Sequence, residues 1–191
     1  LNLGGIANLN IPKLGLAFDI APCNQVLNHL AQRGGHKYDR NGEISQGGQV
    51  IEDLLKQLSS LSYVSLEPPK SLDNSYTMEV LKHLEKYVLI SLGDTLFTYI
   101  HFLAREIARW IEFGNLQRIM VTGGGANNAT LFNSICQASQ YEIIKPENLI
   151  VEGKEALCIA WMGLTRYLEM VNARANYTGA RKDTINGAII L

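Results

Sequence analysis

The chain has 191 residues, of which 47% are hydrophobic and 18% charged, and its formal net charge is −1 at pH 7. This length is enough for one domain with a buried core. A net charge this close to zero gives no electrostatic basis for binding nucleic acid or an anionic membrane surface, so neither is expected as a partner. No apolar run approaches the roughly 20 residues that a membrane span requires, and no signal peptide is visible.

The three cysteines lie far apart and show no Cys-x-x-Cys spacing; they are Cys23, Cys136 and Cys158. A disulfide framework or zinc site is therefore not predicted, and a reducing cytoplasm is the expected location. The first five residues, Leu-Asn-Leu-Gly-Gly, are already strand-like and do not begin with Met. We interpret the chain as a fragment of a longer protein.

Residues 1–20 are predicted to form a β-hairpin, with Pro12, Lys13 and Gly15 marking its turn. Gly4 and Gly5 lie inside the predicted first strand, where glycine weakens pairing unless a bulge or a close ligand is required. Asp19 follows an apolar run at the predicted end of the second strand. An acid there points into a cleft in many α/β enzymes, and the alternative is an N-cap for the helix that starts near Cys23.

Helical spacing of apolar residues predicts six helices, over 24–32, 47–59, 78–89, 93–113, 126–138 and from 152 or 153 to 170. Short strands are predicted near 118–122 and 141–144, and an irregular tail over 171–191. The charged residues of 38–42 are expected in a solvated loop. Pro68 and Pro69 predict a rigid extended segment, after which Lys70 either meets a phosphate or is simply exposed.

A glycine-rich turn follows the predicted strand that ends at Val121 and Thr122. Gly123, Gly124 and Gly125 allow the backbone to approach a ligand closely, and a helix start after them offers free N–H groups to an anion. The turn is not a Walker A loop, because no Gly-Lys-Ser/Thr follows, and Asn128 stands where a dinucleotide motif has its third glycine. A nucleotide site and a generic tight βα turn both remain open.

The order of hairpin, helices, strand, helix, strand and helix predicts an α/β domain with a mixed sheet, flanking helices and an antiparallel edge. It resembles the ribonuclease-H-like lobe of the actin, Hsp70 and sugar kinase superfamily. In that lobe a glycine-containing hairpin meets phosphates and a later glycine-rich turn meets adenosine.

A set of short motifs, in order over nearly the whole chain, is similar to the anhydro-N-acetylmuramic acid kinase family. The motifs are Asn2-Leu-Gly-Gly-Ile-Ala-Asn8, Phe18-Asp19 with Pro22 and Asn24, Asp39 with Gly42 and Gly47, Pro68-Pro-Lys-Ser71, Gly123-Gly-Gly-Ala126 with Asn128, Glu155-Ala156 with Ala160-Trp161, and Thr178-Gly-Ala180. The resemblance implies that residues 1–191 are the C-terminal lobe of a two-lobed kinase. The N-terminal lobe, with its first phosphate loop, is absent from this sequence.

The family uses ATP and Mg²⁺ to open the 1,6-anhydro bridge of anhydro-N-acetylmuramic acid with water while phosphorylating O6, a reaction of cell-wall recycling. The resemblance implies that Asp19 is the catalytic base, which takes a proton from the attacking water. It also implies that Gly4 and Gly5 face the phosphates, and that a second set of residues binds the nucleotide: Gly123, Gly124, Gly125 and Asn128. Asn24 and Lys70 are expected to bind substrate. A homodimer is implied for the full-length form, and the fragment alone is expected to be inactive.

The sequence departs from the family pattern in two places. Ile20-Ala21-Pro22-Cys23-Asn24 replaces the usual Thr-Gly-Pro-Gly-Asn, and two lost glycines are expected to change how closely substrate approaches that turn. Leu72-Asp73-Asn74-Ser75 replaces the usual Thr-Gly-Arg-Glu, which puts an ionic contact in doubt. These departures leave two alternatives open: a non-catalytic, sugar-sensing module, and a superfamily kinase acting on another sugar.

Overall fold

Five short strands build the sheet of the computed structural model, which describes residues 1–190. They are β1 (Asn2–Leu3), β2 (Ile6–Ile11), β3 (Leu16–Pro22), β4 (Arg118–Met120) and β5 (Glu142–Ile144). β1, β2 and β3 form an antiparallel meander, and β4 pairs in parallel with β5. A parallel bridge between Asn2 and Thr122 joins the two groups, with Leu3 N–H donating to Thr122 O at 2.7 Å. The strand order in space is therefore β3-β2-β1-β4-β5, and the predicted mixed α/β architecture is confirmed.

Seven helices accompany the strands. They are α1 (Asn24–Arg33), α2 (Glu52–Ser59), α3 (Asn74–Val88), α4 (Leu92–Phe113), α5 (Ala129–Ala138), α6 (Asn148–Tyr167) and α7 (Ala175–Thr178). None of the helices in the described part of the chain is long and apolar enough to cross a membrane.

One face of the sheet forms the core with α4 at its centre. Alternate strand residues such as Leu3, Leu9 and Phe18 are buried, as expected when successive side chains point to opposite faces. The Phe18 ring meets the Trp110 ring of α4 edge to face, with centroids 5.0 Å apart. The opposite face carries the polar residues Asn2, Asn8, Asn10 and Asp19, so it is available for a site.

α2, α3, α5 and α6 each begin three or more residues away from the position that the spacing predicts. α2 begins at Glu52 rather than residue 47, because the N–H groups of Gln49 and Ile51 bond to the side chains of Asp94 and Thr98 on α4. This pairing keeps the preceding segment outside the helix. α3 begins four residues earlier than predicted, because the Asp73 carboxylate accepts from the N–H groups of Ser75 and Tyr76. These bonds satisfy free donors of the first turn.

α6 leaves much of its apolar surface exposed. Leu157, Ile159, Trp161 and Tyr167 are all more than half exposed. Several large apolar side chains exposed on one helix are characteristic of a contact with further protein.

Candidate functional site

A row of polar side chains crosses the sheet face opposite the core. Asn2 lies opposite Asn8, and Asn8 lies opposite Asp19, in the antiparallel register of β1, β2 and β3. Directly opposed residues share one face of a sheet. Thr122 extends the row beyond β1, and its hydroxyl donates to Asn2 Oδ1 at 3.3 Å. The row links Asp19 to the point where the two groups of strands meet.

Asp19 lies inside β3 rather than at its end, because pairing with β2 continues to Pro22. Ile20 has no partner in the register between Ala7–Ala21 and Asn8–Asp19, so the strand carries a bulge immediately after Asp19. Bulges bend a strand and redirect neighbouring side chains, and they are common beside active sites.

The Asp19 carboxylate is held by a backbone amide. Its Oδ2 accepts from the Leu72 N–H at 2.9 Å, while its main chain bonds to Lys70 O and to the Tyr63 hydroxyl. Within residues 1–190, Oδ1 has no hydrogen-bond partner and remains an open acceptor. The N-cap alternative for Asp19 is wrong, because Cys23 occupies that position and Asp19 bonds to no N–H of α1.

Gly4 and Gly5 form the turn between β1 and β2, not the interior of a strand. Their carbonyls accept from the first N–H groups of α1: Gly4 O from Asn24, and Gly5 O from Cys23 and Gln25. The orphan donors of that helix start are thereby satisfied. Within the described residues, the Gly4 and Gly5 amides donate no hydrogen bond, and Gly5 is exposed. These amides are free to meet an anion.

The second glycine turn packs against Leu3, the residue that precedes the first turn. A Cβ on Gly123 would stand 2.8 Å from Leu3 O, and one on Gly125 would stand 2.8 Å from Leu3 Cβ. Gly123 also has φ of 86°, which side chains rarely tolerate. At Gly124, by contrast, the nearest atom is Asn24 Nδ2 at 3.9 Å. The backbone there is exposed and open to a ligand.

Asn24 lies between the two turns. Its Nδ2 donates to Leu3 O at 3.1 Å, and a Cβ on Gly125 would stand 3.3 Å from its Oδ1. The predicted substrate residue therefore contacts the pair of glycine turns. Its place in the structure is at their junction.

Asn128 acts as the N-cap of α5. Its Oδ1 accepts from Leu131 N–H at 3.0 Å, and the side chain is 8% exposed. The predicted helix from residue 126 is wrong at its start, because Gly124–Asn127 form a 3₁₀ turn and α5 begins only at Ala129. The capped helix start is therefore not the free anion site that the pattern predicted.

A cavity of about 210 Å³ adjoins this second turn. It is lined by Gly124, Gly125 and Asn128 on one side and by α1 and residues 38–41 on the other. Apolar groups such as Leu27 and asparagine amides line it, and its charged residue is the acid Asp39, so it suits a neutral heterocycle rather than an anion.

The loop that closes this cavity is ordered by Asp39, which is buried contrary to the prediction, whereas Arg40 is exposed as predicted. Asp39 is 5% exposed, and its carboxylate accepts from Ile44 N–H at 2.8 Å and from the Ser45 hydroxyl at 2.6 Å. Gly42 has φ of 76° and lies against Thr130 and Asn128. A folded loop thus packs on the start of α5.

Lys70 is buried rather than exposed. The side chain is 9% exposed, its Nζ donates to Tyr63 O at 3.1 Å, and the ammonium lies 4.5 Å and 4.8 Å from the ring centroids of Tyr63 and Trp110. Cation–π contacts with two rings stabilise the buried charge. Lys70 therefore anchors the segment whose backbone holds Asp19, and substrate binding by Lys70 stays a prediction.

We expect replacement of Lys70 by Met to change how stability depends on pH. Burial, with the positive Arg109 nearby, lowers the pKa of Lys70 from 10.5 to about 8. Between these two values the unfolded chain binds more protons than the folded one, so the wild-type free energy of unfolding rises with pH. In urea unfolding at pH 7, 8.5 and 10, the free energy of unfolding of the wild type should rise relative to that of Lys70→Met as pH increases. For the exposed control Lys13→Met, the free energy of unfolding should depend on pH as it does in the wild type. The same pH dependence in Lys70→Met would contradict a lowered pKa of Lys70 in the folded protein.

The replaced residues after Asp19 point into the core. Ile20, Ala21 and Cys23 are 3%, 1% and 0% exposed, and burial raises the pKa of the Cys23 thiol to about 12. The φ of Cys23 is −117°, outside the left-handed region that favours glycine. These side chains therefore lie in the core, and an effect of the lost glycines on the approach of substrate stays a prediction.

Sequence reasoning missed three polar residues of the site: Asn2, Asn8 and Lys154. Lys154 of α6 donates to Asn2 Oδ1 at 2.6 Å and to Thr122 Oγ1 at 2.9 Å. The alternation of Asn2, Asn8 and Asn10 with buried Leu3, Leu9 and Ile11 was the available signal for a polar face. Among the described residues, no group of three or more His, Cys, Asp or Glu side chains lies close enough to hold a metal ion.

Comparison with known proteins gives a consistent result. A family model described as anhydro-N-acetylmuramic acid kinase matches residues 1–191. The anhydro-N-acetylmuramic acid kinases of Clostridioides difficile (strain 630) and Francisella tularensis subsp. novicida (strain U112) are each 31% identical to this chain, over 98% of it and 54% of their own length. That of Bacillus cereus (strain Q1) is 27% identical over the same shares. The chain thus spans about half the length of the curated relatives it matches. It belongs to the anhydro-N-acetylmuramic acid kinase family.

Proposed function

We propose that the full-length protein uses ATP to convert 1,6-anhydro-N-acetylmuramic acid and water into N-acetylmuramic acid 6-phosphate, in cell-wall recycling. The observation that carries the proposal is the Asp19 carboxylate, fixed through Oδ2 by Leu72 N–H with Oδ1 open. It lies on the same sheet face as the row that leads to both glycine turns.

We propose that this chain is the C-terminal, ribonuclease-H-like lobe of a two-lobed kinase. The mixed sheet with helices against one face supports the assignment of the lobe. The coverage of 54% of the relatives and the exposed apolar side chains of α6 support a second lobe. An isolated lobe presents only one wall of the cleft, so the fragment is expected to be inactive.

Asp19 is assigned the role of general base. Water is a poor nucleophile, and a positioned carboxylate takes its proton as the oxygen attacks the anomeric carbon. The bond from Leu72 N–H fixes the orientation of the carboxylate, which leaves Oδ1 to accept that proton. Opening of the bridge then frees O6 for the γ-phosphoryl group.

A cavity of about 220 Å³ adjoins the same strand and is proposed to admit the sugar. It is lined by Ala17, Ser71 and Thr178 together with Pro69, Lys70, Tyr177 and Gly179. Ala17 is two residues before Asp19, so both side chains leave the same face of β3. The segment near Thr178, which sequence reasoning left without a role, is thereby proposed as a wall of the sugar site.

ATP fits the groups present at the two turns. The exposed Gly5 amide and its neighbour Gly4 suit phosphate oxygens, and the cavity of about 210 Å³ beside Gly124 and Gly125 suits adenosine. Mg²⁺ is expected to be held mainly through phosphates and waters, as is usual for this ion. When bound, it neutralises charge on the transferred group.

A non-catalytic sensor is less well supported. The altered turn after Asp19 suggested this alternative, but the side chains of that turn lie in the core rather than in the cleft. A kinase acting on an ordinary sugar hydroxyl would make no use of water, so the two enzyme alternatives predict different products.

The test is incubation of the full-length protein with Mg-ATP and the anhydro sugar in ¹⁸O-labelled water. We expect ADP release and a 6-phosphate that carries one labelled oxygen at the anomeric carbon. An unlabelled phosphate ester would favour the ordinary kinase, and sugar binding without turnover would favour the sensor. A homodimer and a cytoplasmic location stay predictions, which light scattering and cell fractionation would check.

A further inference from the structure

Lys154 brings a positive charge to the junction of the glycine turns. Its side chain is half-buried on α6, and its Nζ bonds to Asn2 Oδ1 at 2.6 Å and to Thr122 Oγ1 at 2.9 Å. Both acceptors are neutral, and none of the ion pairs between described side chains includes Lys154. An ammonium group has three donors, so one remains after these two bonds.

A cation withdrawn from water without an acidic partner is costly. A structural link between α6 and the sheet needs only hydrogen bonds, which an uncharged side chain supplies at lower desolvation cost. The positive charge of Lys154 at this position therefore points to an anion that the full-length protein binds there.

Asn2 shows where that anion would lie. Its amide touches both turns: a Cβ on Gly4 would stand 3.1 Å from Nδ2, and one on Gly123 would stand 2.9 Å from Oδ1. Lys154 shares this amide, so its ammonium adjoins the turn whose Gly4 and Gly5 amides are free. A lysine beside unpaired backbone amides is a common arrangement for phosphate groups.

We propose that Lys154 binds the phosphate chain of a nucleoside polyphosphate, with Asn2 and Thr122 positioning its ammonium. This inference rests on the proposed function for the location of the nucleotide, and it assigns the contact to a residue of α6. The bonds to Asn2 and Thr122 then link the phosphate site with the polar row that ends at Asp19.

The experiment measures the affinity of the full-length protein for ATP and for adenosine by calorimetry. The variants are Lys154→Met, which removes charge and donors, Lys154→Gln, which keeps a donor, and Lys154→Arg, which keeps the charge. Lys13→Met is the matched control, because Lys13 also donates to one neutral oxygen, Asn115 O at 2.9 Å, but lies at the opposite end of β2. Thermal unfolding of each variant reports on folding.

We expect the Met and Gln variants to weaken ATP binding at least about tenfold, the scale of one lost charged hydrogen bond, with adenosine affinity unchanged. Arg should retain most of the affinity, and the control should match the wild type. Equal losses for ATP and adenosine, or unchanged ATP affinity, would overturn the proposal. If Lys154→Met does not fold, the ATP affinities of Lys154→Gln and Lys154→Arg are compared to test the proposal. A charge-dependent ATP affinity in a protein that does not phosphorylate the anhydro sugar would support Lys154 and reject the proposed function.

Discussion

Replacing Asp19 by Asn in the full-length protein is expected to reduce turnover of the anhydro sugar by about 10²–10⁴-fold, the range for loss of a general base. Asn has the same shape, and its carbonyl oxygen can still accept from the Leu72 N–H. The bonds to Lys70 O and from the Tyr63 hydroxyl involve only the main chain of residue 19. The substitution therefore removes proton acceptance and leaves the strand, the bulge and the adjoining segment in place.

Three measurements separate a chemical effect from a structural one. The rate constant kcat should fall, while KM for the sugar and the affinity for ATP stay within a few-fold of wild type, because the nucleotide turns do not contact Asp19. The midpoint of thermal unfolding should also be preserved. Asp53→Asn, which removes an exposed carboxylate from the first turn of α2, should leave every parameter unchanged. Activity of Asp19→Asn within a few-fold of wild type would reject the assigned mechanism.

The local patterns predicted much of this site. The two glycine turns and the acid on β3 are short-range features, because a turn or a strand constrains only a few neighbouring residues. Their contact across Leu3, however, depends on the pairing of β1 with Thr122, about 120 residues later in the chain. Sequence reasoning could place each turn beside a strand but could not place the turns against each other.

Lys70 and Lys154 show why side-chain roles were harder to predict. The run Pro68-Pro69-Lys70 indicates an exposed loop, but Trp110, on the distant α4, forms part of the aromatic cage that buries its ammonium. Lys154 follows a short polar interval inside an apolar helix and reaches the site only because α6 passes near β1. Long-range packing decides both cases, and neither leaves a periodic signal in the sequence.

The effect of the departures from the family pattern was hard to predict for a related reason. Ile20, Ala21 and Cys23 replace the usual Thr and two Gly residues beside the predicted base, which suggested a changed cleft. The bulge after Asp19 directs Ile20 into the core, so the substitution changes packing rather than the site. A bulge shifts the alternation of faces by one residue, and its position cannot be read from composition alone.

The second large effect is expected from the glycine turn, where two adjacent substitutions should behave oppositely. We expect Gly125→Ala to lower the free energy of unfolding by about 1–3 kcal/mol, the usual cost of overpacking, because its methyl group would stand 2.8 Å from Leu3 Cβ and 2.9 Å from Leu3 O. Backbone cannot move aside as the end of a flexible side chain can. The contact between the turns should therefore open, with loss of ATP affinity as a consequence.

Gly124→Ala is the matched variant one residue away. Its methyl group would meet only Asn24 Nδ2 at 3.9 Å, so stability should be unchanged or slightly raised, since alanine restricts the unfolded chain. The same methyl group would project toward the cavity of about 210 Å³ that we assign to adenosine. Denaturant unfolding and ATP titration of both variants should thus give a loss of stability and affinity for Gly125→Ala, and a loss of affinity alone for Gly124→Ala. Unchanged affinity in Gly124→Ala would place the adenosine elsewhere, whereas unchanged stability in Gly125→Ala would contradict the close packing of the two turns.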